Sequence, residues 1–140
     1  MSNYETITYE VTENLATITL NRPDSLNGIV NQMMRELYEC LQVVAANPAI
    51  RVLLFTGAGK GFCPGVDLKA STSGIKQEPN RKEYFHITTL LHEMPKVTIA
   101  GINGACAGAG FGWACACDLR YATARASFNS AFLGVAISGD

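Results

Sequence analysis

Two glycine-rich segments carry the residues best placed for chemistry, and neither does so through a reactive side chain. The first runs Leu54-Phe55-Thr56-Gly57-Ala58-Gly59-Lys60-Gly61-Phe62-Cys63-Pro64-Gly65-Val66-Asp67-Leu68-Lys69. The second runs Ile99-Ala100-Gly101-Ile102-Asn103-Gly104-Ala105-Cys106-Ala107-Gly108-Ala109-Gly110. Glycine lets backbone N–H groups approach a ligand with no Cβ in the way. In the second segment a buried strand runs into a helix start, where orphan N–H groups and the helix dipole favour negative charge. Two such donors converging on one carbonyl oxygen would make an oxyanion hole. The same pattern also serves tight strand-to-helix packing.

Other chemistries fail on spacing. A phosphate-binding G-x-x-x-x-G-K-[ST] loop would need Gly at Leu54 and Ser or Thr at Gly61. The dinucleotide pattern G-x-G-x-x-G fails at Gly57, where Phe62 takes the last place, and at Gly108, where Trp113 does. No G-x-S-x-G occurs. The two histidines, His86 and His92, share no helix face, and His92-Glu93 lacks the second His of a zinc motif, so no metal site is expected. The five cysteines (Cys40, Cys63, Cys106, Cys115, Cys117) are odd in number and form no C-x-x-C. They read as reduced, mostly buried thiols in a cytoplasmic protein, with Cys63 and Cys106 as small core residues. Asp67 and Asp118 read as loop and strand-end hydrogen-bond acceptors, and Trp113 as core.

The elements that must position these segments follow from periodicity. Residues 4–11 and 15–20 alternate in polarity and read as strands, joined by a turn at Glu13-Asn14. Pro23 breaks the chain into a loop. Met33, Met34, Leu37, Leu41 and Val44 recur at helical spacing and predict a helix over 30–46, stopped by Asn47-Pro48. Val52–Phe55 reads as a strand covered on both faces. The stretch 67–79 is polar and expected to be mobile. A second helix over 81–93 is expected to bury Phe85, Leu90 and Leu91. Val97–Ile102 reads as a buried strand, 108–117 as a small-residue helix, and 119–122 and 126–128 as short strands. Strands and helices alternate as in an α/β layered fold.

Composition narrows the function classes. The chain has 140 residues, 48% hydrophobic and 16% charged, with a formal net charge of -1. That suits one domain and leaves no basic excess for a nucleic-acid partner. The N-terminus shows no secretory signal. Val97–Cys117 is uncharged and long enough to span a bilayer, but its glycines, Asn103 and small residues favour a buried strand, turn and helix over a membrane segment.

The two glycine-rich segments, together with Asn21-Arg22-Pro23-Asp24-Ser25-Leu26-Asn27-Gly28 and Cys117-Asp118-Leu119-Arg120-Tyr121-Ala122, resemble the enoyl-CoA hydratase/isomerase (crotonase) superfamily in order and spacing. The resemblance covers essentially the whole chain but only the first half of a typical member. It implies an α/β fold: the N-terminal portion of a crotonase-like spiral of ββα units, with residues 1–140 as a core domain incomplete at its C-terminus. It further implies acyl-coenzyme A thioester substrates, with coenzyme A as part of the substrate and no permanently bound cofactor. By motif position, the N–H groups of Val66 and Ala109 would hold the thioester oxygen of an enolate, an interaction of roughly 3–4 kcal/mol per donor in comparable sites. Lys69 matches a lysine near the coenzyme phosphates, and Ser25, Leu26 and Gly28 match the adenine-side loop. Full-length members commonly assemble as homotrimers or hexamers.

The chain departs from the hydratase pattern at both catalytic glutamates. Gly112 and Phe132 stand in their places, and neither transfers a proton. In other branches a single carboxylate lies further on, and Asp140 falls there. It reads either as the acid/base or nucleophile of an isomerase-like, dehalogenase-like or ring-forming or ring-opening member, or as a turn residue after Gly139. The leading expectation is an acyl-CoA-processing enzyme. The alternative is a non-catalytic or truncated fragment that binds coenzyme A or a family partner. An apolar, Gly-rich C-terminal end would then be an exposed face, and the isolated chain is expected to be poorly soluble or partly unfolded.

Overall fold

The computed structural model describes residues 3–132 and Gly134. Strands β1 (Ile7–Thr12) and β2 (Leu15–Leu20) form an antiparallel hairpin, pairing Ile7 with Leu20 and Thr12 with Leu15. Glu13 turns it with a φ of 56°. The first strand starts later than its alternation predicts. The N–H groups of Glu5 and Thr6 donate to the Glu36 carboxylate instead of to a strand.

Helix α1 (Asn31–Ala46) presents the predicted stripe: Met33, Met34, Leu37, Leu41 and Val44 are all buried. The chain then enters β3 (Val52–Gly57), which pairs parallel with β2. Residues 67–79 hold a short element in spite of their polarity. They include helix α2 (Leu68–Thr72), and the following stretch returns to α1, where Arg35 Nε lies 2.7 Å from a Glu78 carboxylate oxygen.

The helix expected over 81–93 is divided. A 3-10 turn covers Lys82–His86, and α3 runs from Ile87 to Glu93. The division corrects one core assignment. Tyr84, Ile87, Leu91 and Met94 point inward, while Phe85 is 67% exposed and Leu90 only partly buried. In the tighter turn, side chains fall in register every three residues, so Tyr84 rather than Phe85 lines up with Ile87.

Strand β4 (Val97–Ile102), the short strand β5 (Ala105–Ala107) and helix α4 (Gly108–Ala116) follow in one run. The chain continues through β6 (Leu119–Ala122) and β7 (Ser127–Asn129). The main sheet has the order β1-β2-β3-β4-β6, parallel after the first hairpin. A second, smaller layer forms where β5 pairs with β7 and Cys106 bridges to Cys63. The turns that start at β3 and β4 each lay one strand in the large sheet, a short extended piece in the small layer, and then a helix. Residues 97–116 are one complete ββα turn. The expected crotonase-like spiral of ββα units is the observed architecture. No helix among the described residues is long and apolar enough to cross a membrane, and the uncharged stretch 97–117 is strand, strand and helix.

Aromatic packing joins the layers. Phe55 on β3 meets Phe62 with ring centroids 5.5 Å apart, and Trp113 of α4 at 6.1 Å. Trp113 is buried, as expected.

Candidate active site

The first motif block, residues 21–28, clamps the glycine-rich loop. The Asn27 side chain is fully buried, and its Nδ2 donates to the carbonyls of Ala58 (3.0 Å), Gly61 (2.9 Å) and Phe62 (3.2 Å). Its Oδ1 accepts from the Arg22 N–H at 2.9 Å. From the other side, Asn103 Nδ2 donates to the carbonyls of Gly57, Gly59 and Gly61. Arg22 Nη1 reaches Gly28 O at 2.6 Å and the Asp67 carboxylate at 3.0 Å. Neither amide was singled out by sequence reasoning. A polar residue inside each Gly-rich or Pro-containing block was the available signal, because loop carbonyls that are buried need donors.

Asp67 acts structurally, as its sequence context suggested. Its carboxylate accepts the Ala70 N–H at 3.0 Å and caps α2. That N–H holds the carboxyl below its usual range, partial burial opposes it, and Arg22 adds to the lowering. Gly28 lies so close that a Cβ there would meet Asp67 Cβ at 2.9 Å. Asp118 is likewise a strand-end acceptor. It takes the Thr98 N–H at 2.9 Å, and its own N–H donates back to the Thr98 hydroxyl.

The two glycine-rich segments meet at Gly65 and Gly108. Gly65 has a φ of +100° and Gly108 a φ of +55°, conformations that favour glycine. A Cβ on Gly65 would lie 3.5 Å from Gly108 Cα and 3.6 Å from the Ala109 nitrogen. The two turns therefore pack backbone to backbone, with no side chain between them.

Orientation follows from the flanking bonds. Ile29 N–H donates to Gly65 O at 2.8 Å, and Asp67 N–H donates to Ile29 O at 2.9 Å. In an extended segment successive groups alternate in direction, so the intervening Val66 N–H points away from Ile29. Ala109 is the second residue of α4, and its N–H belongs to the four that a helix leaves without an internal acceptor.

Ser25 and Lys69 line one cavity of about 520 Å³, which also takes in Arg22, Lys76 and Gln77. The two other residues expected on the adenine side, Leu26 and Gly28, lie outside its lining. Leu26 is 44% exposed with a left-handed φ of 53°, and Gly28 is covered by Asp67. Lys76 and Gln77 sit in the stretch that sequence reading treated as mobile.

Gly112 lies on α4, one turn beyond Ala109. A Cβ there would meet nothing within 4 Å. It borders a second groove, of about 400 Å³, whose other wall is α3. Asp140 lies outside the described residues. Cys63 and Cys106 are buried, and burial pushes both thiols up to about 12, which suits packing and not nucleophilic attack.

A ββα spiral whose glycine turns bring two strand-to-helix junctions together, beside a cavity with basic residues, defines a class of α/β protein that can hold a ligand on backbone N–H groups. The model of the enoyl-CoA hydratase/isomerase family matches residues 10–138, and the chain belongs to that family. It is 36% identical over 140 residues to a protein of Rhodobacter capsulatus named as an enoyl-CoA hydratase, covering 99% of this chain and 54% of that protein. It is 38% identical over 137 residues to the 1,2-epoxyphenylacetyl-CoA isomerase of Escherichia coli, covering 91% and 51%. The fold is similar, with a TM-score of 0.86 and 25% identity, to the crystal structure of a Thermobifida fusca protein named as an enoyl-CoA hydratase, in complex with acetoacetyl-CoA. That likeness covers 96% of this chain and 57% of that one. The chain spans about half the length of the curated relatives it matches.

Proposed function

We propose that this chain is the N-terminal part of an acyl-CoA-processing enzyme that stabilises a thioester enolate between the N–H groups of Val66 and Ala109. The observation that carries this reading is the contact of Gly65 with the Gly108-Ala109 turn, which sets the backbone beside Val66 against the Ala109 nitrogen with no side chain on either glycine between them. Preorganised donors aimed at developing oxyanion charge lower the barrier without reorganising when the charge forms. Arg22, Ser25, Lys69 and Lys76 offer the neighbouring cavity cationic and hydroxyl groups suited to the phosphates of coenzyme A, so the coenzyme is held as part of the substrate and not as a resident cofactor.

The chemistry proposed is proton transfer next to the thioester carbonyl, in the manner of an isomerase. Hydration by two glutamates is disfavoured, because neither Gly112 nor Phe132 has a side chain that can give or take a proton. Asp140 is the proposed acid/base. It would remove a proton from the α-carbon and return it elsewhere on the same acyl group, so that no water is added or lost. The name of the Escherichia coli relative, an acyl-CoA isomerase, supports this branch.

The protein at family length, tested with a panel of acyl-CoA thioesters, is the deciding preparation. The expected result is turnover together with exchange of the substrate α-proton in heavy water. Asp140→Asn should lower kcat by about 100-fold or more while KM stays within a few-fold. Binding of acyl-CoA without turnover or exchange would favour a coenzyme-binding, non-catalytic protein, which the losses at Gly112 and Phe132 also suit. Absence of binding would refute both readings.

A further inference from the structure

We infer that the groove between α3 and α4 receives the distal part of the acyl group and selects acyl groups bearing an uncharged oxygen, a hydroxyl or carbonyl, over saturated chains of equal length. The inference rests on the enolate reading above and concerns the same site. Its starting point is Gly112. On a helix, residues three apart stack one above the other, so Gly112 lies directly along α4 from Ala109. Because nothing occupies the space over its Cα, an acyl chain leaving a thioester held at Ala109 has an open path there. The path leads into a groove of about 400 Å³, room for a short acyl group.

The chemistry of the walls gives the selectivity. Thr88 and His92 lie one turn apart on α3, with Thr89 and Glu93 beside them, and Cys115 faces them from α4. Apolar residues of α3 are used elsewhere: Ile87 and Leu91 are buried in the core. Among the described residues, neither threonine hydroxyl nor the His92 imidazole has a hydrogen-bond partner within the protein. A saturated chain laid along this wall would strip water from those groups and return no bond, which costs free energy. A hydroxyl or carbonyl would restore the bonds, since the threonine hydroxyls and an imidazole N–H can donate to its oxygen. The carboxylate of Glu93, on the same wall, repels a negatively charged acyl end, so the preference is for an uncharged oxygen.

The test compares kcat/KM for a trans-hexenoyl-CoA, its ω-hydroxy derivative and its ω-carboxylate derivative, on the protein at family length. The hydroxy substrate should exceed the unsubstituted one by about tenfold or more, with the carboxylate the poorest of the three. His92→Leu should bring the hydroxy preference close to one, chiefly through KM, because an exposed position tolerates the change. Thr89→Val should lower the preference by a smaller factor and serves as a second variant. Turnover of all three substrates with no hydroxy preference would overturn this inference and leave the enolate reading standing. An unchanged preference in both variants would overturn it as well. Failure to bind or turn over any thioester would overturn the enolate reading, and the selectivity with it.

Discussion

Glu36 shows how one buried charge can fix an N-terminal strand. Its side chain is 2% exposed, and its Oε2 accepts the Thr6 N–H at 2.8 Å and the Thr6 hydroxyl at 2.6 Å. Gln32 Nε2 donates to Oε1 at 3.0 Å, and the Glu5 N–H adds a further bond. Burial by itself would raise this carboxyl, but the bonds from Thr6, Glu5 and Gln32 outweigh it and hold the group below its ordinary value. A carboxyl lowered in the folded state binds fewer protons there than in the unfolded chain near that pH. It therefore stabilises the fold above about pH 4.5, and that contribution is lost as pH falls through the lowered value. Glu36→Gln keeps the shape but turns an N–H₂ toward some of these donors. Urea unfolding at pH 7 should show a loss of about 2 kcal/mol, and the gap to the parent should narrow below pH 4. A gap independent of pH would show that the charge itself contributes nothing.

At the scale of elements, α4 sets two glycines of one helix against each other. Gly110 is pressed onto Cys63: a Cβ there would sit 2.5 Å from Cys63 O and 2.6 Å from Cys63 Cβ. Gly112 faces open space. Gly110→Ala must push α4 off backbone that cannot yield, and should cost about 2–3 kcal/mol. Gly112→Ala meets nothing and gains helix propensity, so it should stabilise by about 0.5–1 kcal/mol. Thermal melts of the two variants beside the parent check both signs. The same helix shows what sequence can and cannot reveal. Helix α1 was legible because Met33 to Val44 mark one face with large apolar residues. Helix α4 was legible only as small residues in a row, and nothing in that row says which glycine is pressed and which is free. Helix α2 left no pattern at all, since its five residues bury none of their side chains and depend on the Asp67 cap. Strand β5 was missed for a related reason. Ala105-Cys106-Ala107 has no bulk to alternate, and its place is fixed by pairing with residues 127–129. Phe85 was misplaced because the pitch changes from three to 3.6 residues per turn in mid-segment. As for the site, Val66 and Ala109 act through their backbone in the proposed chemistry, so side-chain reasoning alone could not have selected them. Their positions came from the order of the motif blocks.

Across the whole molecule the thiols divide by depth. All five cysteines are free, four are buried, and Cys115 is exposed on α4. Burial pushes Cys40, Cys63 and Cys106 up to about 12 and Cys117 to about 11. At pH 8 a thiol-specific reagent should therefore modify Cys115 quickly and the others only after denaturant is added. Rapid reaction of several thiols in the folded chain would show that the layers open. Mass spectrometry after a short exposure distinguishes the two outcomes. The sheet also leaves its last strand open. Strand β6 lies at its outer edge with all four positions exposed, Tyr121 by 66%, and Phe128 on β7 is 51% exposed. An apolar edge of this kind is a template for further strand pairing, so the 140-residue chain on its own should self-associate as its concentration rises.

The backbone contact between Gly65 and Gly108 has a consequence for how such a protein can be damaged. Every residue possesses an N–H except proline, so replacing Val66 or Ala109 by almost anything leaves the donor atom in place. The vulnerable letters are the neighbours Gly65 and Gly108, whose φ angles of +100° and +55° are strained for a residue that carries a Cβ. A mutational scan should then show a blind spot at the very residues proposed to hold the oxygen, beside two positions where a side chain strains the backbone. In such a map, tolerance to substitution would mark the centre of the site and intolerance its frame.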